Sequence, residues 1–302
     1  MISSLNPDTQ QFLNNVAAIN QQMQQAQTEL STGLAVNQAS DAPDEISPIL
    51  QARAELSATQ QINTDLGQTT TEVDSAQQAL QSAVQLFDQV QSLGAEGYTS
   101  TATAASNADL AQQLSGILQQ MVGLANTQVA GRYIFSGDTD QTQPYTIDMT
   151  QNPPVVSSYQ GSATTRVAQS ADGSTFPVAL TAQTIFDTGD PSTGAFSSIE
   201  GLITALNSND QTAIATSVQG LSSVSGYLNQ QLAFYGDTQQ TVTNASNYGS
   251  TMATQLQTQL SSLEDANSAQ AIEQLTQAQT QDQAALQSEA LLPHTSLFNF
   301  LG

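Results

Sequence analysis

Apolar residues recur along most of this chain in alternating steps of four and three, the spacing that lines one face of an α-helix. The cleanest run is Ile62, Leu66, Thr69, Val73, Ala76, Leu80, Ala83, Phe87 and Val90. At ~1.5 Å per residue these positions alone span roughly 42 Å, longer than an ordinary globular helix, and they predict a rod. Its start is marked by Ser40, Asp41, Pro43, Asp44, Glu45 and Pro48. These supply capping side chains, acids that favour the positive helix end, and prolines tolerated only in a first turn. After a glycine-containing polar loop over 94–107, Leu110, Leu114, Ile117, Met121 and Leu124 restore the pattern and predict a second helix folding back on the first. Helical spacing returns from Ile199 to Leu232, with a turn near 207–210.

Both ends of the chain carry heptad stripes. Leu5, Phe12, Val16, Ile19, Met23, Ala26 and Leu30 form one; Val242, Ala245, Gly249, Met252, Leu256 and Leu263, joined by the off-register Leu260, form the other. Such stripes suit coiled-coil seams. Chain ends are usually the least patterned part of a domain, so these seams are expected to pair with each other and with neighbouring copies. Between 133 and 196 the helical period is lost. Short runs at 132–135, 155–159, 165–168 and 176–180, bounded by Gly or Pro, predict a small β-rich insert. The expected fold is mainly α: an elongated set of long antiparallel helices with a small β domain at the tip. Residues 1–43 and 255–302 would be the terminal coiled-coil helices, 44–134 and 197–254 the helical rod, and 135–196 a separable β-rich outer domain.

Composition narrows the class. Of 302 residues, 38% are hydrophobic but only 5% aromatic, with no Trp, so the core is thin, as in a rod of paired helices. Three basic residues against 26 acids give a formal charge of -23. That charge opposes a phosphate backbone and an anionic lipid surface, so neither nucleic acid nor membrane is an expected partner. No basic stretch followed by an apolar core opens the chain, and no apolar run has transmembrane length, so if the protein is exported, the expected route needs no cleaved signal peptide.

The residues offer little chemistry. The single histidine, His294, has no activated-serine motif to serve, and with no Cys a common zinc site is out of reach. Asp138-Thr139-Asp140 begins like a calcium loop, then fails at Gln143 and Met149 where that loop needs glycine and glutamate. A phosphate loop needs a lysine, and the chain has none. Glu264 and Asp265 read as part of a solvated face. Neither an enzyme nor a cofactor is expected.

Other residues carry a resemblance. Ser31-Thr32-Gly33, Asn37 and Ser40-Asp41-Ala42-Pro43 are similar to the N-terminal signature of the flagellin-like axial proteins of bacterial flagella. Leu124-Ala125-Asn126 leading into Gly131-Arg132-Tyr133-Ile134-Phe135-Ser136-Gly137, then Pro144-Tyr145 and Tyr159-x-Gly161, resembles the hook-filament junction branch of that family. The aromatic tail Leu297, Phe298, Phe300 and Leu301 fits the same branch. Leu34 and Ala42 depart from it, where the family usually has a basic residue and a second aspartate.

The resemblance implies a structural subunit, exported unfolded, that forms a short ring joining hook to filament outside the cell. Its implied partners are copies of itself, the first junction protein on the hook side, flagellin on the filament side, and a cytoplasmic export chaperone that holds the tail. Leu5, Phe12, Val16, Ile19, Met23, Leu30, Met252, Leu256, Leu260 and Leu263 would form the assembly seam. A filament-forming flagellin is the alternative within the class; a coiled-coil adhesin or secretion tip protein is the alternative outside it.

Overall fold

The structure, a computed structural model, describes residues 7–99, 102–190 and 192–290. Leu5, His294 and the tail residues Leu297, Phe298, Phe300 and Leu301 lie outside them. Contacts divide the chain into two units, one of 1–57 with 253–302 and one of Ala58–Met252.

In the larger unit two long helices, α2 (Ile46–Gly97) and α6 (Gln211–Glu264), run antiparallel. Their cross-contacts show the direction. Gln91 Nε2 donates to the Leu221 carbonyl at 3.2 Å, and Gln239 Nε2 donates to Asp74 Oδ1 at 2.7 Å. Further along, Gly249 faces Asn63, whose amide occupies the space a Cβ would need. The predicted stripe is the buried face of α2: Leu66, Val73, Ala76, Leu80, Ala83, Phe87 and Val90 are all in the core. On the outer faces, threonines satisfy their hydroxyls within the helix; Thr64 and Thr241 donate to the carbonyls of Gln60 and Asp237, at 3.0 and 2.9 Å.

Two shorter helices, α3 (Ala104–Ala125) and α5 (Ala195–Asn207), pack on each other and join the same core. A capping box starts α3: Thr103 Oγ1 accepts from Ser106 N–H while Ser106 Oγ accepts from Thr103 N–H, at 3.2 and 2.8 Å. At its other end Asn126 brackets Tyr145, accepting from its N–H at 3.0 Å and donating to its carbonyl at 2.8 Å.

The region after α3 forms three separate antiparallel pairs of very short strands. They are β1 (Gln128–Val129) with β2 (Arg132–Tyr133), β3 (Ile147–Asp148) with β4 (Val155–Val156), and β5 (Val167–Gln169) with β6 (Thr175–Pro177). The first turns on Ala130 and Gly131, at φ +50° and +76°, the geometry of a two-residue type I′ hairpin. A five-residue helix, α4 (Ala182–Phe186), follows.

The segment 135–196 shares its core with the helices, which corrects the expectation of a separable module. Phe135 meets Phe186 and Tyr235 edge-on, with ring centroids 6.3 and 6.2 Å apart, and Tyr235 belongs to α6. Phe196 of α5 stacks on Phe186 at 5.5 Å and takes Tyr145 edge-on at 5.2 Å. Strands of two or three residues cannot build a hydrophobic layer of their own, so this segment buries its aromatic side chains against α5 and α6.

The smaller unit contains α1 (Pro7–Thr32), the turn over 33–45, the first turns of α2, the last turns of α6, and α7 (Ser268–Ala290). Here the expected pairing needs correction. The helix packed along α1 is α7, and the C-terminal stripe instead ends a 54-residue helix. Its Leu260 and Leu263 pack with Ile49, Ala52, Leu56 and Val36. A break at 265–267 separates α6 from α7, and Asn267 Oδ1 accepts from Gln270 N–H at 3.3 Å where α7 begins.

Candidate assembly surface

The α1–α7 pair of the smaller unit leaves much of its apolar surface only partly covered. Small residues let the helices approach: Ala26, Ala271 and Ala278 are 1%, 1% and 2% exposed. The larger residues of the N-terminal stripe, Phe12, Val16, Ile19, Met23 and Leu30, are only partly covered. Leu13, Ile272 and Leu286 are 49%, 55% and 53% exposed. Glutamines supply most of the polarity. Gln22 and Gln25 of α1 face Gln274, Gln277 and Gln281 of α7 across a hollow of about 370 Å³. As acids, α1 carries Asp8 and Glu29 and α7 carries Glu273, Asp282 and Glu289.

Among the C-terminal seam candidates, Leu256 and Leu260 are buried at 6% and 9%, while Met252 and Leu263 are half-buried. The structure therefore brings Leu260 and Leu263 together with α2. It leaves Phe12, Val16, Ile19, Met23 and Leu30 on a different pair. A lysine at Leu256 would disturb the unit's own interior, whereas one at Phe12 tests the partly covered face.

The signature residues are structural. Gly33, at φ +73°, closes α1 with its N–H on the Glu29 carbonyl at 2.9 Å, and its own carbonyl accepts from Ala266 N–H at 2.9 Å. Asn37 Nδ2 donates to the Leu34 carbonyl at 2.7 Å, and Asp41 Oδ2 accepts from the N–H groups of Asn37 and Gln38 at 3.0 and 2.7 Å. Ser31, Ser40 and Pro43 are exposed. In the second signature, Gly137 has φ +63°, and a Cβ there would run into the carbonyls of Ser162 and Thr164. The Tyr159 hydroxyl lies 3.0 Å from the Phe135 carbonyl and 3.1 Å from that of Ser162. Tyr133 N–H donates to the Asp140 carbonyl at 2.8 Å.

Charge is concentrated at two nodes that use all three arginines. Glu72, 9% exposed, accepts from Arg132 at 3.1 Å and from Arg166 at 2.7 Å; Asp140 stands 3.7 Å from Arg132. Glu264, 7% exposed, takes Arg53 through two parallel bonds of 2.7 and 2.8 Å. Its backbone carbonyl accepts from Ala35 N–H at 2.6 Å, so it ties α2 and the 33–45 turn to the end of α6. The hydrogen bonds to Glu264 raise the Arg53 pKa above its usual value. Burial pushes Tyr159 up to about 12 and Tyr145 and Tyr235 higher, so these phenols stay neutral and serve as hydrogen-bonding wedges. Among the described residues no cluster of His, Cys, Asp and Glu could hold a metal ion, and no helix is long and apolar enough to cross a membrane.

Two functional features went unread in the sequence. The α7 stripe of Ala271, Leu275, Ala278, Asp282 and Ala285 keeps the 4-3-4-3 spacing, but three alanines and an aspartate hide it. Glu72 adjoins Val73 within the apolar run of α2, and a carboxylate there signals a buried cation partner.

Residues 2–140 match the family model described as the bacterial flagellin N-terminal helical region. No curated protein matches the chain in sequence. Solved structures match in fold. A Vibrio parahaemolyticus protein provisionally described as a flagellar hook-associated protein is 18% identical, with a TM-score of 0.63 over 74% of this chain and 100% of that one. The flagellar hook associated protein-3 of Legionella pneumophila is 12% identical, with a TM-score of 0.62 over 71% and 98%. FlgL of Bacillus cereus is 19% identical, with a TM-score of 0.55 over 71% and 100%. The fold, long helices carrying a small antiparallel β region, is that of the flagellin-like axial proteins. Within that class it is shared with proteins described as hook-associated.

Proposed function

We propose that this chain is a structural subunit of the bacterial flagellum that joins hook to filament and assembles through its terminal helices. The observation that carries the reading is the half-covered apolar face of α1 and α7 in a chain whose residues 2–140 match the flagellin N-terminal helical region. A pair of isolated helices with three buried alanines is marginal in water, and packing against neighbours supplies the missing burial. Copies of the chain provide one set of neighbours. Flagellin on the filament side and another junction protein on the hook side would bound the ring, and an export chaperone would hold the tail segment before secretion. The fold match to proteins described as hook-associated favours this reading over a filament-forming flagellin.

The reading is tested in cells lacking the protein. Hooks without filaments, with filament protein shed into the medium, are expected; filaments attached as in the parent strain would overturn it. A finer test is Phe12→Lys, which places a charge in the partly covered face. Helical content and the melting of Ala58–Met252 should be unchanged while incorporation into flagella is lost. Normal incorporation of that variant would mean that Phe12 stays outside the contact.

A further inference from the structure

In the larger unit a carboxylate of α5 grips the backbone of the β3–β4 hairpin. Glu200, near the middle of α5, is half-buried, and its Oε1 accepts from the N–H of Val156 in β4 at 3.1 Å. A second tie joins the same two parts: Asn207 Nδ2, at the end of α5, donates to Asn152 Oδ1 in the turn of the hairpin at 2.8 Å. Ile147 and Val156 pack partly buried against the core, while Met149 and Val155 are 41% and 52% exposed. The hairpin is a strap laid on α5, held at its turn and along one strand.

The surroundings of Glu200 disfavour its charge. Burial takes water from the carboxylate, and Asp187, just past α4, adds a second negative charge; together they raise the Glu200 pKa above its ordinary value, against the lowering effect of Val156 N–H. Other groups on the neighbouring elements do not offset this. Tyr145 donates its hydroxyl to Asp187 at 3.4 Å, and burial keeps the phenols of Tyr145 and Tyr159 neutral. Asp148 of β3 is exposed and accepts from Thr150 N–H and Oγ1 at 2.9 and 2.6 Å. Asp109, the one charged residue of α3, lies two residues from Asn107, which bonds Asn209 beyond the far end of α5. Asp88 and Glu96 of α2 are exposed, and α6 carries no charge between Gln211 and Gly236. All three arginines are engaged at Glu72 and Glu264.

We propose that the β3–β4 hairpin is a pH-sensitive strap, held on α5 more firmly when Glu200 is protonated than when it is ionised. The protonated acid still accepts from Val156 N–H through its carbonyl oxygen, and it no longer confronts Asp187 as a like charge. A carboxyl whose pKa is higher with the hairpin docked than with it released adds grip that is fully present below its ordinary value of 4.5 and is lost as pH rises through the docked value. Mildly acidic solution therefore tightens the strap, and neutral solution loosens it.

Hydrogen exchange on the purified full chain tests this, read amide by amide over 147–156 and corrected for the intrinsic pH dependence of exchange. Protection of Val156 N–H should rise roughly twofold or more from about pH 7.5 to about pH 4.5. Glu200→Gln keeps an accepting oxygen at the same place and cannot ionise. It should show the acid level of protection throughout that range, with no pH response in the hairpin. A parent chain whose hairpin loses protection in acid overturns the proposal. So does a Glu200→Gln chain that keeps the parent's response, because the response would then come from the charge of the whole molecule. Weaker protection in Glu200→Gln than in the parent at neutral pH also overturns it, since the ionised carboxylate would then be the better grip.

Discussion

Replacing Glu72 by alanine is expected to cost about 3 kcal/mol of folding stability, the lower end of the range for breaking a buried ion pair. Glu72 is the shared acceptor for Arg132 and Arg166, whose side chains are only 33% and 25% exposed. Removing the carboxylate leaves both guanidinium groups partly desolvated beside α2, with Asp140 at 3.7 Å from Arg132 the nearest replacement. Their residual exposure holds the cost below that of a fully buried pair. The matching change at Glu264 should cost about 1 kcal/mol, because its partner Arg53 is 50% exposed and can turn to water. Urea unfolding followed by far-ultraviolet circular dichroism measures both. A loss below about 1 kcal/mol for Glu72→Ala would show that the two arginines rehydrate freely.

Phe135→Ala carries the larger expected effect, about 3 to 5 kcal/mol, as for truncating a fully buried aromatic ring. Phe135 is 0% exposed and stands edge-on to Phe186 of α4 and Tyr235 of α6, so the cavity would open between the β region and a long helix. Because the core is shared, the variant should lower the melting of the long helices and of the aromatic near-ultraviolet signal together, in one transition. An independently folding module would lose its aromatic signal first and leave helical melting unchanged.

Much of the helical framework was legible because heptad spacing in long amphipathic helices is a local signal. The stripe from Leu66 to Val90 is buried as its spacing required, and the turn at 207–210 falls where Asn209 adopts a left-handed φ of +51°. Partner choice was less legible. The stripes of α1 and of the end of α6 share one period, and nothing in that period says which other stripe each meets. The pairing of α1 with α7 depends on small residues at Ala26, Ala271 and Ala278, which weaken a hydrophobic pattern while permitting close approach. Strands β1 and β3 were missed because pairs of two residues hold too little alternation to show. The glycine signature was visible as a pattern, yet its reason lay in tertiary contact: Gly137 approaches the backbone of Ser162 and Thr164, distant enough in sequence that spacing could not reveal it.

The hook-filament junction assignment is tested most directly by locating the chain on intact flagella. Isolated flagella are labelled with gold-conjugated antibody against residues 147–177, the stretch that carries the exposed Met149, Val155 and Val167, and imaged by electron microscopy. A junction subunit places the gold in one short zone where the curved hook meets the filament. Gold distributed along the filament would make the chain a filament subunit and contradict the assignment.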